Sequence, residues 1–278
     1  MPTLYVVGTP IGNLEDMSAR ALRVLRDVEV IATEDTRTTK KLLTHYDIHT
    51  KLISFQEHNA PARIPQLLGI LEENDVALVT EAGTPGVSDP GVSLVAAAGE
   101  AGVPVVSVPG PSSVTAAVSI SGFPGERFNF IGFLPRRKGD RKRLFESLAN
   151  ERQTIVALES PHRIKASLVD MLEVWQTRRI AVCRELTKIH EEVFRGTLQA
   201  ALDYFQEPRG EFTLVIEGAT SKPPADTEST RSTAKEELLR LKSQGLGAKE
   251  AVAVVVKSTG MPRKVVYSLW LENQARTP

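Results

Sequence analysis

The sequence is poor in features on which several large classes of protein depend. It contains one cysteine, Cys183, in 278 residues, so a disulfide framework is excluded and we interpret this thiol as a core residue of a strand. No apolar run approaches the length that crosses a bilayer, and no cationic leader with an apolar core opens the chain. We therefore expect a cytoplasmic protein with no membrane partner. The formal net charge is zero, so affinity for nucleic acid would have to come from local patches.

Several catalytic signatures are absent as well. No Gly-Lys-Ser/Thr follows a glycine loop, no Gly-x-Gly-x-x-Gly follows a strand, and neither Gly-x-Ser-x-Gly nor His-Glu-x-x-His occurs. These absences argue against NTP hydrolysis, hydride transfer and zinc proteolysis. His45 and His49 lie four residues apart, but Asp47 and a strand boundary interrupt any common helical face, so we predict no metal site.

What the chain does contain is a repeated unit, in which an apolar strand ends in a loop rich in glycine and proline. The unit occurs three times, with loops at residues 8–14, 81–91 and 109–113. Strands alternate with helices up to about Gly122, which predicts a mostly parallel sheet covered on both faces. Loops at one edge of such a sheet would line a common ligand cleft, with ordinary strand–helix connections as the alternative.

Charged clusters follow three further apolar strands, at residues 34–37, 159–163 and 184–188. Each cluster would suit either a cleft wall or the start of a helix, and their recurrence favours the cleft. Residues 136–143 form a basic run of six Lys or Arg and one Asp at the end of another strand. We interpret this run as a phosphate-contacting surface in preference to a merely solvated face.

The C-terminal part is predicted to be helical. Residues 221–230 have the composition of a linker, and residues 234–242, 248–257 and 262–272 have helical patterns that resemble a helix-turn-helix bundle. From Ser229 onward nine Lys or Arg face four Glu, which favours nucleic acid over a solubilising or dimerising appendage. We therefore predict an N-terminal α/β lobe at 1–122, a second α/β lobe at 123–220, a linker at 221–230 and a helical RNA-binding-like domain at 231–278.

Eight segments, in order and across nearly the whole chain, resemble the ribosomal RNA small subunit methyltransferase I family. They are GTPIGNL from Gly8, EDTR from Glu34, EAGTPG from Glu81, SDPG from Ser88, PGP from Pro109, GFLP from Gly132, HR from His162 and RELTK from Arg184. That family belongs to the tetrapyrrole-methylase-like class of S-adenosylmethionine-dependent methyltransferases. The wider class often has Asp where this chain has Thr84, which disfavours a tetrapyrrole substrate.

The resemblance implies two α/β lobes of the tetrapyrrole methylase type with the cofactor, S-adenosyl-L-methionine, in the cleft between them. It implies 2′-O-methylation of a cytidine ribose in the decoding region of 16S rRNA, with the small ribosomal subunit as partner, and a homodimer. The cofactor-binding residues that it implies are Pro10, Ile11, Ala82, Gly83, Thr84, Val87, Ser112, Ser113, Leu158, Glu217 and Gly218.

A ribose hydroxyl is a poor nucleophile until it is deprotonated, so a base or a hydrogen-bond acceptor is expected. The candidates are Glu34, Asp35, Glu81, Asp89, Glu159, Glu185 and Lys188, of which the lysine would need a lowered pKa. Our hypothesis is that Glu34 and Glu81 orient the ribose and that Lys188 helps to hold phosphate. Other substrate contacts are predicted at Asn13, Asp35, Arg37, Asp89, Arg136, Arg137, Arg141, His162 and Arg163. Carboxylates and bases paired only for the fold remain the alternative.

Two rival functions remain open at this point. A small-molecule methyltransferase on the same scaffold would have a closed substrate cleft and no need of a basic tail. A non-catalytic RNA-binding protein would use the loops for phosphate contacts alone.

Overall fold

The structure is a computed structural model that describes residues 1–219, 228–244, 246–259, 261 and 263–274. The chain forms two compact units, residues 1–219 and 220–278, which are described separately. Within the described residues, no helix is both long enough and apolar enough to cross a membrane.

The first half of the larger unit is a parallel five-stranded sheet with the strand order β3-β2-β4-β1-β5. Its elements are β1 (Leu4–Val7), α1 (Ala19–Asp27), β2 (Val30–Thr33), α2 (Thr36–His45), β3 (Lys51–Ser54), α3 (Ala60–Ile70), β4 (Val76–Val79), α4 (Val92–Glu100), β5 (Val105–Val108) and α5 (Ser113–Ser121). Every residue of β2 and β4 is buried, as expected of central strands with helices on both faces. Two separate apolar clusters cover the sheet, which confirms the predicted α/β fold.

Local signals explain where these elements begin. The Ala21 N–H donates to the Ser18 side-chain oxygen at 3.1 Å, so Ser18 caps α1 as its residue type suggests. Asp35 caps α2 in the same way through the Arg37 N–H at 2.7 Å. Asp35 lies two residues after the end of β2, so a polar residue close behind a buried strand starts the next helix there.

The second half of the unit is a mixed sheet with the order β6-β7-β10-β8-β9. Its elements are β6 (Phe128–Phe133), α6 (Lys138–Ser147), β7 (Thr154–Glu159), α7 (Ile164–Trp175), β8 (Arg179–Arg184), β9 (Glu192–Thr197), α8 (Leu198–Tyr204) and β10 (Phe212–Ile216). β6 pairs in parallel with β7, whereas β10 runs antiparallel to both β7 and β8, and β9 runs antiparallel to β8. β9 and β10 therefore begin at the edge of the sheet where β6, β7 and β8 end.

A shared apolar layer joins the two sheets. Helix α5 of the first lobe packs on β7, β8 and β10 of the second. Its Val114 and Val118 belong to one buried cluster with Val156, Cys183 and Val215 of the second sheet. Burial of this apolar surface stabilises the contact between the lobes and fixes the position of the two sheet edges that face each other.

The smaller unit contains the helices α9 (Glu228–Ser243), α10 (Ala248–Thr259) and α11 (Arg263–Gln274). They pack around one apolar cluster that includes Leu238, Val255 and Trp270. α9 begins several residues before the predicted start. Of the predicted linker at 221–230, residues 221–227 lie outside the described residues, as do Gly260 and Pro262, whereas residues 228–230 belong to α9 and correct that part of the prediction.

Candidate active site

The three glycine loops of the first lobe lie side by side at one edge of its sheet. The Thr9 N–H donates to the Gly83 carbonyl at 2.9 Å, and the Gly83 N–H donates back to the Thr9 carbonyl at 3.0 Å. The Gly8 N–H donates to the carbonyl of Val108, the last residue of β5, at 3.0 Å. These bonds tie the loops after β1, β4 and β5 into one rigid backbone layer.

Gly8 and Gly110 are required because their backbones touch. A Cβ on Gly8 would lie 2.8 Å from both the N and the Cα of Gly110, and one on Gly110 would lie 2.7 Å from the Gly8 carbonyl. Backbone atoms on both sides leave no flexible group to move aside. Gly83 is needed for another reason, since its φ of +87° favours glycine.

Beside this layer lies a cavity of about 420 Å³ between the two lobes. The first lobe contributes loop backbone, small side chains and carboxylates, and the second contributes mainly the ends and starts of strands. The lining residues are Ile11, Glu34, Glu81, Ala82, Gly83, Thr84, Val87, Ser88, Asp89, Ser112, Ser113, Val114, Phe133, Leu158, Glu159, Ser160, Pro161, Cys183, Leu186, Glu211, Phe212 and Thr213.

Eight residues of the predicted cofactor set line this cavity. They are Ile11, Ala82, Gly83, Thr84, Val87, Ser112, Ser113 and Leu158. Pro10 is buried directly beside Ile11 without lining the cavity.

Glu217 and Gly218, the other two members of that set, need a correction. They follow β10, whose first residue, Phe212, lies at the cavity. Because β10 is antiparallel to β7, its end lies at the far edge of the sheet, where the Glu217 N–H donates to the Arg179 carbonyl at 3.0 Å. Gly218 is pressed there against the carbonyl of Arg152.

Three carboxylates of the first lobe face the cavity together, namely Glu34, Glu81 and Asp89. Partial burial and then the neighbouring charges of Glu81, Asp89 and Asp35 raise the pKa of Glu34 above its ordinary value. Burial also raises the pKa of Asp89; the Thr80 hydroxyl opposes this effect and Glu81 adds to it. A carboxylate with a raised pKa is a better proton acceptor, so Glu34 or Asp89 can serve as a base toward a hydroxyl.

Lys188 is not suited to act as a base. Burial alone would lower the pKa of Lys188, but hydrogen bonds to Glu185 and Glu211 outweigh burial and raise it. Its ammonium lies 2.9 Å from Glu185 and 3.1 Å from Glu211, and the lysine stem packs against Gly12 of the first lobe. The side chain is a paired cation that joins the two lobes.

Arg141 is a second correction, because its side chain is only 5% exposed. Its guanidinium forms a buried ion pair with Asp170 of α7, in which Nε lies 2.9 Å from the carboxylate. The same group donates to the carbonyl of Pro135 at 3.1 Å. Arg141 therefore holds the segment after β6 in place and is not available to RNA, whereas Arg136 and Arg137 are exposed.

Arg163 is also committed to the fold. It pairs with the buried Glu159 at 2.6 Å and donates to the Leu134 carbonyl at 2.9 Å. Glu159 accepts a further bond from the Ser167 hydroxyl at 2.6 Å. These partners fix the carboxylate, so Glu159 is a poor candidate for the base although it lines the cavity.

The other predicted substrate residues lie outside the cavity lining. Asp35 caps α2 and pairs with the exposed Arg37 at 3.1 Å, and this hydrogen-bonded partner lowers the pKa of Asp35. Asn13 caps a short 3₁₀ turn through the Glu15 N–H. His162 is exposed beside Pro161, which does line the cavity.

Sequence reasoning missed Phe212 and Thr213, which line the cavity from the start of β10. Both residues begin a strand, whereas the predicted cleft residues follow strand ends, and the sequence carries no signal that β10 runs in reverse. Cys183 also lines the cavity, but burial raises the pKa of its thiol to about 11, so it is neutral at physiological pH.

Three of the five non-glycine residues with a positive φ in the described chain lie at or beside this cavity. Ser88, Glu185 and Thr187 all have positive φ angles, of 64°, 51° and 66°, which are uncommon for residues with side chains. Ser88 lines the cavity, and the other two flank the lining residue Leu186. No cluster of His, Cys, Asp and Glu that could hold a metal ion occurs within the described parts of the chain.

Comparison with known proteins agrees with this architecture. A family model described as tetrapyrrole (corrin/porphyrin) methylases matches residues 3–202. A Synechocystis protein named ribosomal RNA small subunit methyltransferase I is 46% identical and covers 99% of each chain. The protein of that name from Thermotoga maritima is 48% identical over 221 residues, which are 78% of this chain and 99% of its own.

A solved structure shares the fold at much lower identity. Uroporphyrin-III C-methyltransferase from Thermus thermophilus, complexed with S-adenosylhomocysteine, aligns with a TM-score of 0.55 at 18% identity. The alignment covers 77% of this chain and 97% of that one. Because the family model spans most of the larger unit and the relatives are similar over most or all of the chain, this protein is a methyltransferase of the tetrapyrrole methylase family and belongs to its ribosomal RNA small subunit methyltransferase I group.

Proposed function

We propose that this protein transfers the methyl group of S-adenosylmethionine to the 2′-hydroxyl of a cytidine in the decoding region of 16S rRNA. The observation that carries the proposal is the interlobe cavity, in which a glycine-loop layer faces a group of carboxylates. The name shared by the relatives supports rRNA as the substrate. The choice of cytidine and of the ribose oxygen follows the resemblance described above.

The cavity fits the cofactor in size and in the chemistry of its lining. Ala82, Gly83 and Thr84 present loop backbone with little side chain in the way, which allows close approach of a polar ligand. Ile11 and Leu158 offer apolar contact suited to a flat ring, and Ser112 and Ser113 offer hydroxyl groups. When bound, the cofactor supplies an electrophilic methyl group on a sulfonium. The protein has only to position the acceptor hydroxyl and to polarise it.

The carboxylates supply the remaining requirement, a proton acceptor. Glu34 and Asp89 both have a raised pKa, and both face the cavity from the first lobe. We assign Glu34 as the group that accepts the ribose proton or orients the hydroxyl, with Glu81 helping to hold the ribose. Lys188 is not assigned to this step, because its ammonium is stabilised by two carboxylates.

Two exposed arginines close to the cavity support a polymeric substrate. Arg136 and Arg137 are exposed directly after the strand that brings Phe133 to the cavity. Exposed arginines are the usual contacts for RNA phosphates. The helical unit, with its surplus of basic residues, is proposed to add further RNA contacts. The proposal also includes a homodimer and a cytoplasmic location, where the protein would meet the small subunit.

The test is methyl transfer from labelled S-adenosylmethionine to three acceptors: assembled small subunits, deproteinised 16S rRNA and a porphyrin precursor. We expect label in rRNA at one cytidine. Alkaline hydrolysis should leave that site as an uncut dinucleotide, because 2′-O-methylation removes the nucleophile that cleaves the chain. Label on the porphyrin alone, or on a base instead of a ribose, would show that the proposed function is wrong.

A further inference from the structure

Strand β6 contains a bulge immediately before it reaches the cavity. Phe130 lies opposite Val156 of β7, and Phe133 lies opposite Leu158, so Ile131 and Gly132 together face a single residue. Gly132 takes a φ of +66°, which suits a glycine at such an irregularity. Bulges next to active sites commonly redirect a side chain.

The bulge changes the face of the sheet on which Phe133 lies. Phe128 is opposite Thr154, and continuing this register without a bulge would place Phe133 opposite Glu159. Glu159 lies on the face covered by α7, where it accepts a hydrogen bond from Ser167. With the extra residue, Phe133 instead shares the face of Leu158, and both side chains line the cavity.

Phe133 is unusually exposed for an aromatic residue. All nine phenylalanines lie within the described residues, and Phe133, at 57% exposure, is the only one classed as exposed. Its neighbours Phe128 and Phe130 pack partly against the interlobe cluster. The ring of Phe133 therefore contributes little to the core, although the bulge places it at the cavity.

The backbone that follows Phe133 is held firmly. Arg163 donates to the Leu134 carbonyl at 2.9 Å, and Arg141 donates to the Pro135 carbonyl at 3.1 Å. This bracing leaves Phe133 at one end of the segment and the exposed Arg136 and Arg137 just beyond it. An exposed aromatic face beside cations on a rigid backbone is the arrangement that binds unpaired nucleotides.

We propose that Phe133 stacks on the base of the nucleotide whose ribose is methylated. The proposal rests on the proposed function and adds a residue that orients the acceptor. Because the ring lines the same cavity as Glu34, a base held by Phe133 would place its own ribose near the carboxylates. Arg136 and Arg137 would then contact phosphates on the flanking nucleotides.

The first experiment compares Phe133→Ala, Phe133→Leu and Phe133→Tyr in the full chain. Loss of one base–aromatic stack predicts that kcat/KM for rRNA falls about 5- to 100-fold in the Ala and Leu variants and stays close to wild type in the Tyr variant. The affinity for S-adenosylmethionine, measured by calorimetry, should stay close to wild type in all three, because the ring is proposed to contact the RNA base and not the cofactor. Val169→Ala is the control, because Val169 is another exposed apolar residue, at 38%, on α7 of the same lobe.

The second experiment removes the base instead of the ring. An RNA that carries an abasic ribose at the target keeps the 2′-hydroxyl but has nothing to stack. We expect wild type to lose activity on this RNA to about the level of Phe133→Ala, and Phe133→Ala to lose little more, because both changes remove the same contact.

Unchanged kcat/KM in Phe133→Ala would overturn the assignment. So would an equal loss of cofactor affinity in that variant, because it would place the cofactor's adenine on the ring. A change in the oligomeric state of Phe133→Ala, measured by light scattering, would overturn it as well. Wild-type protein that methylates no RNA would instead refute the proposed function. Wild-type activity with an unaffected Phe133→Ala variant would refute only the stacking role.

Discussion

The two lobes build opposite walls of one cavity by different topological routes. In the first lobe all five strands are parallel, so every strand ends at the same edge and its loops converge there. In the second lobe, β6, β7 and β8 end at the cavity, but β9 and β10 start at that edge. The ends of strands therefore mark the cavity lining of the first lobe, but only part of the lining that the second lobe contributes.

The lobes also differ in how their charged residues are used. Glu34, Glu81 and Asp89 of the first lobe face the cavity with no ion-pair partner among the described salt bridges. The charged residues at the strand ends of the second lobe are mostly paired with each other, as in Arg163 with Glu159. The first lobe thus carries the proposed chemistry, and the second carries bracing together with the apolar and basic surface that we propose for the substrate.

The largest expected effect concerns the chemistry assigned to the first lobe. Glu34→Gln should lower kcat about 100- to 10,000-fold if the carboxylate acts as the base. Because the pKa of Glu34 is raised, its proton returns as pH falls, so the acidic limb of kcat/KM should lie above the ordinary carboxyl range. Glu100→Gln, at the exposed end of α4, is the control. Wild-type turnover in both Glu34→Gln and Glu81→Gln would remove the assignment.

Glu34→Gln should raise the stability of the fold although it lowers activity. The fold raises the pKa of Glu34, so its ionised form destabilises the folded state above that pKa, and the penalty disappears as pH falls. Glu34→Gln should therefore melt above wild type at neutral pH, and the difference should shrink toward acid. A difference that grows toward acid would contradict the raised pKa.

The bracing role of the second lobe is tested at the buried ion pair. Arg141→Ala leaves Asp170, which is only 1% exposed, without its guanidinium. Loss of one partner of a buried pair predicts destabilisation by about 3–5 kcal/mol in urea unfolding. Arg143→Ala, whose side chain is 75% exposed, should change stability little. Equal stability of the two variants would mean that Arg141 does not brace the fold.

The close packing of the first-lobe loops predicts a smaller loss. Gly8→Ala places a methyl group against the Gly110 backbone, and overpacking of this kind costs about 1–3 kcal/mol. Cofactor affinity should fall with it, because the loop layer forms one wall of the cavity. Gly99→Ala in α4 is the matched control, since a Cβ there meets nothing within 4 Å, and it should be neutral or stabilising. Stability and affinity unchanged in Gly8→Ala would contradict the packing argument.

The smallest effect is expected at the exposed basic rim. Arg136→Gln combined with Arg137→Gln should weaken RNA binding and reduce the slope of log affinity against log salt by about 0.7 for each lost phosphate contact on single-stranded RNA. S-adenosylmethionine affinity should stay unchanged. An equal loss for both ligands would show that these arginines belong to the cofactor site instead.

Much of the first lobe was predictable because its signals are local. The apolar runs of β1, β4 and β5 and the glycine loops that follow them mark both the sheet and the edge of the cavity. Glu34 and Asp89 were found for the same reason, since each follows a predicted strand or loop at that edge. The surroundings of Arg141 and Lys188 do not suit the predicted roles in RNA contact and proton transfer, because neither burial nor distant ion pairing can be read from the local sequence. Asp170 lies 29 residues from Arg141, and Glu211, one of the two partners of Lys188, lies 23 residues away along the chain.

The amino-acid sequence by itself determined the alternation of strands and helices, the loops that need glycine and the stock of charged side chains, since these depend on residue preferences over a few positions. The tertiary structure alone decided three further matters: that β10 runs in reverse, so that Phe212 lines the cavity and Glu217 does not; that a bulge turns Phe133 toward the cavity; and which charges neutralise each other. Strand direction, register and ion pairing all depend on contacts between residues distant in the chain, and so they are settled only when the two sheets pack.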